Sequence, residues 1–324
     1  MGLRYSYLVM NKYEGNGLSE MKEQWMNDLK TIVNPDDIKI DEPLNKYTMT
    51  KLGGNADLLV MPSTEEEAAE VVKYAHQHDV PLFLLGNGSN MVIRDGGLRG
   101  IVLNLSKLDE IRIEGTTVYA QAGALIIDVS RAAAAQSLSG LEFSCGIPGS
   151  VGGAMAMNAG AYGGEINDVI VSCKVMTPSG DILNLTKEQL ELGYRQSIIA
   201  KKGYYALSSI FELKKGDQAT IDETIADLTY KRESKQPLEF PSAGSVFKRP
   251  PGHFAGKLIQ DSGLQGKGVG GAEVSTKHAG FIINKGNATA TDYIETIRMV
   301  QRTVKEKFNI DLETEVKIVG EDVK

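Results

Sequence analysis

The sequence is short of the residues that many reactive scaffolds depend on. Across 324 residues there are two cysteines, four histidines and one tryptophan. Cys145 and Cys173 form no C-x-x-C pair and suggest no disulfide framework, which argues against a zinc module or a disulfide-stapled fold. His76 and His78, in "HQH", end a charged helical pattern and read as a solvated pair, so no metal is expected. Positive charge is scarce too: 35 Lys and Arg against 42 Asp and Glu leave a formal net charge of −7. That balance argues against a nucleic-acid or anionic-membrane surface, so any phosphate must be gripped by backbone N–H groups and a few placed cations. No apolar run approaches a membrane span. Residues 1–20 lack the apolar core and cleavage site of a signal peptide; they are expected to be a flexible extension, and the cytoplasm is the expected compartment.

What is present patterns well. The length allows about two domains. A helix is predicted after Ser19, with Trp25, Leu29, Ile32 and Val33 on one face. "ADLLVMP" reads as a strand, and "STEEEAAEVVKYAHQHD" as a helix opened by a capping box pairing Ser63 with Glu66. "PLFLLG" returns as a buried strand, which makes one βαβ unit with a glycine-rich loop at the carboxyl end of its second strand. Strands dominate from Met91 to about Leu213, interrupted by the alanine-rich helix "LIIDVSRAAAAQSLSG", whose C′ residue is expected to be Gly140. Two helices then surround short strands, and "LETEVKIVG" closes the chain as a strand. The expected division is an extension over 1–20, a body over 21–216 in two lobes (about 21–90 and 91–216), a smaller α+β domain over 217–311, and a strand over 312–324 returning toward the body.

Two glycine-rich stretches carry the chemistry. "LLGNGSNMVIRDGG", Leu84 to Gly97, lacks the Gly-Lys-Ser/Thr of a P-loop and has Met91 where a dinucleotide fingerprint needs its third glycine. "CGIPGSVGGAMAMNAGAYGGE", Cys145 to Glu165, places six glycines between Gly146 and Gly163. Glycine is entropically costly and is kept where backbone must approach something closely or take positive φ. One such loop can be a tight turn; two suggest a long ligand held by N–H nests, with no helix dipole required. "GKGVGG", Gly266 to Gly271, fits G-x-G-x-x-G, but a helix leads in and no helix follows, which argues against a nicotinamide site.

"TKLGGNADLLVMP", "LGNGSNMVIRD", "GIPGSVGGAMAMNAGAYGGE", "YRQS", "RESKQP", "GSVFKRP" and "LETEVKIVG" occur in an order and spacing that resembles the UDP-N-acetylenolpyruvoylglucosamine reductase family, over about residues 45–320. The resemblance implies an α+β fold: an FAD-binding module of the vanillyl-alcohol-oxidase (PCMH) type plus a smaller α+β substrate domain. It implies FAD, held non-covalently because the first loop has no histidine or cysteine, and NADPH as hydride donor. The pyrophosphate would lie against Gly86, Asn87, Gly88, Ser89 and Asn90. Ile147, Pro148, Gly149, Ser150, Gly152, Gly153, Asn158 and Gly160 would line the rest of the cofactor, and Arg232 would reach the flavin. The implied reaction reduces the enolpyruvyl ether of a nucleotide sugar to a lactyl ether, UDP-N-acetylmuramate, for peptidoglycan. Hydride reaches the vinyl carbon, and the protein must spread the resulting enolate charge and protonate one carbon on one face.

By the same resemblance, three residues carry that work. Arg195 in "YRQS" has a permanently charged guanidinium able to hold a carboxylate through two hydrogen bonds, although alone it reads as a surface arginine. Glu315 alternates with the apolar set Leu312, Thr314, Val316 and Ile318, so it faces solvent or a cleft. Beside an enolate it is expected to be held protonated and to donate a hydrogen bond. Ser245 in "AGSVFKRP" is the expected proton donor to carbon, with Lys248 steadying the transient alkoxide. Tyr194, Gln236, His278 and Asn284 are expected substrate contacts, while Lys267, Lys277 and Arg249 are available for the diphosphate. No tyrosine-bearing insertion fits between Phe240 and Gly271, which resembles the shorter subclass, and Arg249 stands where the longer one has asparagine. An oxygen-using flavin oxidase of an alcohol or lactone is the alternative on the same module. The expected partner is a nucleotide sugar rather than nucleic acid, and the oligomeric state is left open.

Overall fold

The computed structural model describes residues 17–323, and its first helix, Gly17–Leu29, already contains residues 17–20 of the expected extension. Residues 1–16 lie outside the described residues. Trp25, Leu29 and Val33 are buried as the periodicity predicts. Ile32 and Val33 sit one turn beyond the helix, on a turn closed by their N–H groups onto Leu29 O at 3.0 and 2.9 Å. The next helix, Glu65–Gln77, buries Ala68, Ala69, Val71, Val72 and Ala75 on one face. Its N-cap is Thr64, one residue later than expected. Glu67 N–H donates to Thr64 Oγ1 at 3.1 Å, and Ser63 N–H donates to Glu67 Oε2 at 2.7 Å. Sequence offers two overlapping hydroxyl-to-glutamate pairings at the same spacing, and the one that leaves the alanine–valine face inward is used.

The chain divides into two compact units, one formed by 17–42, 56–87 and 99–229, the other by 43–55, 88–98 and 230–323. The expected boundary at 216/217 falls ahead of the helix Gln218–Lys235, whereas the units part inside it, after Thr229. In the first unit a four-stranded sheet has the order Ile38–Pro43, Asn55–Val60, Leu98–Asn104, Leu82–Leu85. Leu82–Leu85 runs parallel to Leu98–Asn104, with Leu82 opposite Ile101, so the glycine-rich turn leaves the carboxyl end of a parallel strand pair. A five-stranded sheet follows, in the order Ile182–Thr186, Ile170–Met176, Tyr205–Glu212, Thr117–Gln121, Ile111–Glu114. One apolar core, including Leu58, Ile101, Val118, Val151, Val175 and Phe211, backs both sheets.

The alanine-rich helix spans Ile126–Ala134 and does not reach Gly140. Ser137 takes the left-handed conformation at φ +55, and Leu138–Ser139 is pulled into a pairing with Lys214–Lys215. The tertiary pairing ends the helix before glycine is reached. Both cysteines are buried free thiols. Burial pushes the Cys173 thiol up to about 12, which makes it unreactive.

The second unit is built on a four-stranded antiparallel sheet in the order Ser242–Ser245, Phe281–Asn284, Ala272–Val274, Gly268–Val269. "GKGVGG" is its hairpin, with Gly270 at φ +53. The helix Ala290–Phe308 covers the sheet through Tyr293, Ile294, Ile297 and Val300, all buried. A Thr289–Asp292 capping box opens that helix, and the Asp95 carboxylate accepts from Ala290 N–H and Thr291 N–H at 2.8 and 2.9 Å. The closing strand is shorter than predicted: Lys317–Val319 pairs in parallel with Met91–Ile93, within this same unit. Among the described residues no helix is long and apolar enough to cross a membrane.

Candidate active site

The two small-residue turns meet. In the first unit the Asn87 side-chain amide donates to Pro148 O. A Cβ placed on Gly86 would stand 3.1 Å from Ser150 Oγ, so Gly86 leaves a cradle that any side chain would fill. The chain passes into the second unit at Gly88, which takes φ +57, the left-handed conformation that turns successive N–H groups to one side. Its carbonyl accepts from Met49 N–H at 3.0 Å, and a Cβ on it would lie 2.2 Å from Tyr47 O. The segment Tyr47–Met49 therefore backs this turn, a contact that the sequence gives no sign of.

The second stretch is more ordered than an irregular loop. Val151–Met157 forms a short helix, and Ser150 caps it by accepting from Gly153 N–H at 3.3 Å. The sequence reading required no helix here, and the structure supplies a short one. Gly152 is needed for packing as much as for any ligand: its N–H donates to Ala122 O at 2.8 Å, and a Cβ would press on Ala122 at 3.1 Å. Gly160 similarly opens a small hairpin where a Cβ would meet Gly164 O at 2.7 Å. Ile147 and Pro148 are half-buried, and Gly149 is buried with its carbonyl accepting from Ile126 N–H at 3.0 Å.

Asn158 ends that helix in the left-handed conformation and is only 1% exposed. Its side chain is spent inside the protein, donating to Gly193 O at 3.1 Å and accepting from Asn167 N–H at 3.0 Å. The first of these bonds braces the four-residue turn Gly193–Gln196, whose end residues exchange backbone hydrogen bonds at 3.1 Å. Tyr194 and Arg195 form its tip. Tyr194 is exposed; Arg195 is half-buried, held at φ +54, with its guanidinium 5.4 Å from the Tyr194 ring. A long, charged side chain in left-handed backbone is uncommon, and such strain concentrates at working sites.

In the second unit the backbone of Val246 links the segments that carry Ser245 and Glu315. Val246 N–H donates to Gly280 O at 2.9 Å, and Val246 O accepts from Glu315 N–H at 2.8 Å. Ser245, immediately before it, is exposed, Glu315 is half-buried, and Asn90 of the first turn donates its amide to Glu315 O at 3.3 Å. The strand carrying Ser245 is bulged: Ser242 pairs with Ile283 but Ser245 with Phe281, and Gly244 sits between at φ +73. A bulge with a left-handed glycine re-aims the residue that follows it. Gly244 has open space around a would-be Cβ, so Gly244→Ala is expected to cost stability through backbone strain alone, about 1 kcal/mol. Urea midpoints of the two proteins measure it; a neutral substitution would remove the bulge from the account of Ser245.

Other expected residues find different employment. Lys248 pairs with the Glu313 carboxylate, so it does not serve the Ser245 hydroxyl. Asn284 is buried and structural on both ends of its amide: it donates to Thr50 O at 3.1 Å and accepts from Gly286 N–H at 2.9 Å. Lys277 donates to Glu233 O at 2.7 Å, and Arg249 stacks over Phe254 at 4.0 Å. Lys267 and Ser89 are placed on the surface and half-buried, respectively. Arg232, half-buried, lies near the end of Gln218–Lys235. Gln236, just beyond, has its side-chain carbonyl oxygen buried with no hydrogen-bond partner among the described residues. A buried acceptor left unpaired costs about 1–3 kcal/mol unless something supplies a donor.

In the first unit the cradle at Gly86 leaves room that a ligand's phosphate can take; in the second the left-handed turn at Gly88 presents N–H groups of the kind that bind anions, and the unpaired oxygen of Gln236 calls for a donor. Fold and turns together define a two-unit α+β flavoprotein. The family model described as "FAD binding domain" matches residues 56–186, and that described as "UDP-N-acetylenolpyruvoylglucosamine reductase, C-terminal domain" matches residues 236–319. UDP-N-acetylenolpyruvoylglucosamine reductases of Exiguobacterium sibiricum and Geobacillus kaustophilus are each 60% identical, over 93% and 94% of this chain and 99% and 100% of their own. The crystal structure of the Thermus caldophilus UDP-N-acetylenolpyruvylglucosamine reductase, 33% identical, superposes with a TM-score of 0.74 over 87% of this chain and 97% of that one. The chain belongs to the UDP-N-acetylenolpyruvoylglucosamine reductase family.

Proposed function

We infer that this chain catalyses the NADPH-dependent, FAD-mediated reduction of UDP-N-acetylglucosamine enolpyruvate to UDP-N-acetylmuramate, a step in peptidoglycan precursor synthesis. Its near full-length identity to reductases of that name supports the substrate. The observation that carries the chemistry is the Val246 carbonyl, which accepts from Glu315 N–H and so ties the serine-bearing and glutamate-bearing segments together in one unit. Gly86, Asn87, Gly88, Ser89 and Asn90, with the second turn from Ile147 to Gly153, would hold the FAD, and Arg232 would reach its ring. When bound, FAD supplies the hydride carrier between NADPH and the vinyl carbon.

The residues do the rest. Arg195 binds the substrate carboxylate with two parallel N–H donors, which lets negative charge spread into that group as the enolate forms. Ser245 gives its hydroxyl proton to the enolate carbon, and Glu315 stands beside the reacting group. Tyr194 and Gln236 contact the sugar or its enolpyruvyl group. Dependence on NADPH and a nucleotide sugar fits a cytoplasmic reaction. The test is direct: the purified protein should oxidise NADPH only when the enolpyruvyl sugar is present, converting it to a product heavier by one hydride and one proton. Equal turnover with oxygen and no sugar would favour the oxidase.

Strain at Arg195 makes a second test possible. Arg195→Gly relieves the left-handed backbone, so thermal stability should be unchanged or raised by up to about 1 kcal/mol. Reduction of the sugar should nevertheless fall by about 10²-fold or more through loss of the charge-assisted contact. A variant that is both less stable and fully active would separate this turn from catalysis.

A further inference from the structure

His278 is bound into the protein on one side of its ring. Its Nδ1 accepts from Gly280 N–H at 3.1 Å, its carbonyl accepts from Phe281 N–H at 3.0 Å, and its own N–H donates to Ser275 Oγ at 3.2 Å. The ring stands edge-on to Phe281, with centroids 4.8 Å apart. It also presses on Gly280 so closely that a Cβ there would meet Cε1 at 3.0 Å and Nδ1 at 3.2 Å. Burial holds this imidazole below its ordinary pKa of 6.5, so at neutral pH it carries one proton. Because Nδ1 is accepting, that proton sits on Nε2.

The Gly280 peptide grips the serine segment from its other end. Gly280 O receives Val246 N–H at 2.9 Å, and Ser245 pairs in register with Phe281. Ser245 Oγ itself lies 3.9 Å from where a Gly280 Cβ would be. A relay of contacts therefore runs from imidazole to glycine peptide to Val246, immediately after the proposed proton donor. The bulge at Gly244 immediately precedes Ser245, which is exposed.

We propose that His278 is a positioning residue acting through Nδ1: by accepting the Gly280 N–H it fixes the glycine whose carbonyl holds Val246 N–H, and so aims the Ser245 hydroxyl at the enolate carbon. This rests on Ser245 being the proton donor, and it puts this task in place of the sugar contact expected of His278 from sequence. The reach of amide side chains separates the two roles. Asparagine can place an oxygen where Nδ1 stands, whereas glutamine extends its amide to the position of Nε2.

The test uses the flavin-loaded enzyme in anaerobic rapid mixing, with His278→Asn, His278→Gln and His278→Phe beside Ser245→Ala. All three histidine variants should be reduced by NADPH at the unaltered rate. His278→Asn should turn over the enolpyruvyl sugar within about threefold of the parent, while the other two fall by about 10–100-fold at unchanged KM, since small misplacement of a reacting group costs that much. In D₂O the two impaired variants should show a larger solvent isotope effect and deuterium on both faces of the lactyl carbon. Nitrogen shifts of the His278 ring in the unaltered protein should report an unprotonated Nδ1. Retention by glutamine with loss by asparagine, or a changed KM in all three, would overturn the proposal in favour of a sugar contact. Parallel loss of both half-reactions and of thermal stability would make the residue mere packing and overturn it equally. If Ser245→Ala itself protonates the product normally, the underlying assignment of Ser245 fails instead, and the two failures are thereby told apart.

Discussion

Ser245→Ala should leave reduction of the flavin by NADPH within about twofold while slowing its reoxidation by the enolpyruvyl sugar by about 10²–10⁴-fold, the range that a positioned general acid contributes. The hydroxyl lies on an exposed residue of an edge strand, held by the Val246 backbone between Gly280 and Glu315. Deleting one oxygen there removes no buried packing, so stability should hardly change. The asymmetry between the half-reactions follows from chemistry: a proton on carbon is required only after hydride has left for the sugar. Serine is a weak acid, and an enolate carbon is basic enough to take its proton only if geometry is tight. Rapid-mixing traces at the flavin absorbance measure both halves in one experiment. Equal slowing of the two would remove Ser245 from proton transfer.

Gly88→Val should abolish flavin binding. Left-handed backbone costs a branched residue more than the roughly 1–2 kcal/mol paid by other L-residues. Here the added Cβ would also lie 2.2 Å from Tyr47 O and 2.7 Å from Thr48 Cα, both backbone. Neither neighbour can rotate away, so the turn must open and its N–H groups lose their common direction. Gly115→Ala is the matched control, since Gly115 has φ +65 but nothing within 4 Å of a Cβ. The control should keep its full flavin content and lose about 1 kcal/mol of stability. The Gly88 variant should purify with flavin content lowered roughly tenfold or more, a loss of at least about 1.4 kcal/mol in binding. Flavin retained in the valine protein would place the pyrophosphate elsewhere.

Much of this site was legible because it is written in residue types with narrow uses. Glycines at 86, 88 and 152 stand where a Cβ would crowd a neighbouring segment, and two glycine-rich stretches in one chain pointed to one long ligand. The strands were legible from alternation: Leu312 and Val316 are buried and Glu315 is not, as period-two patterning requires. What escaped depends on partners remote in sequence. Tyr47–Met49 behind Gly88, Asn158 bracing the Arg195 turn and Asp95 at the start of Ala290–Phe308 are contacts that no local pattern announces. Lys248 looked available to Ser245 because it lies three residues away. An extended strand puts residues at that spacing on opposite faces, and Glu313 takes the charge. Gly244 carried a usable signal, a glycine inside a strand-like run beside a candidate serine, which marks a bulge.

The visible spectrum of the purified protein, recorded anaerobically through two additions, bears most directly on the claim that its paired small-residue turns hold FAD for reduction of an enolpyruvyl sugar. The expected result is a flavin band that bleaches with NADPH and returns, without oxygen, when the enolpyruvyl sugar is added. A colourless protein that takes up no FAD, or a bleached one that regains colour only in air, would contradict it.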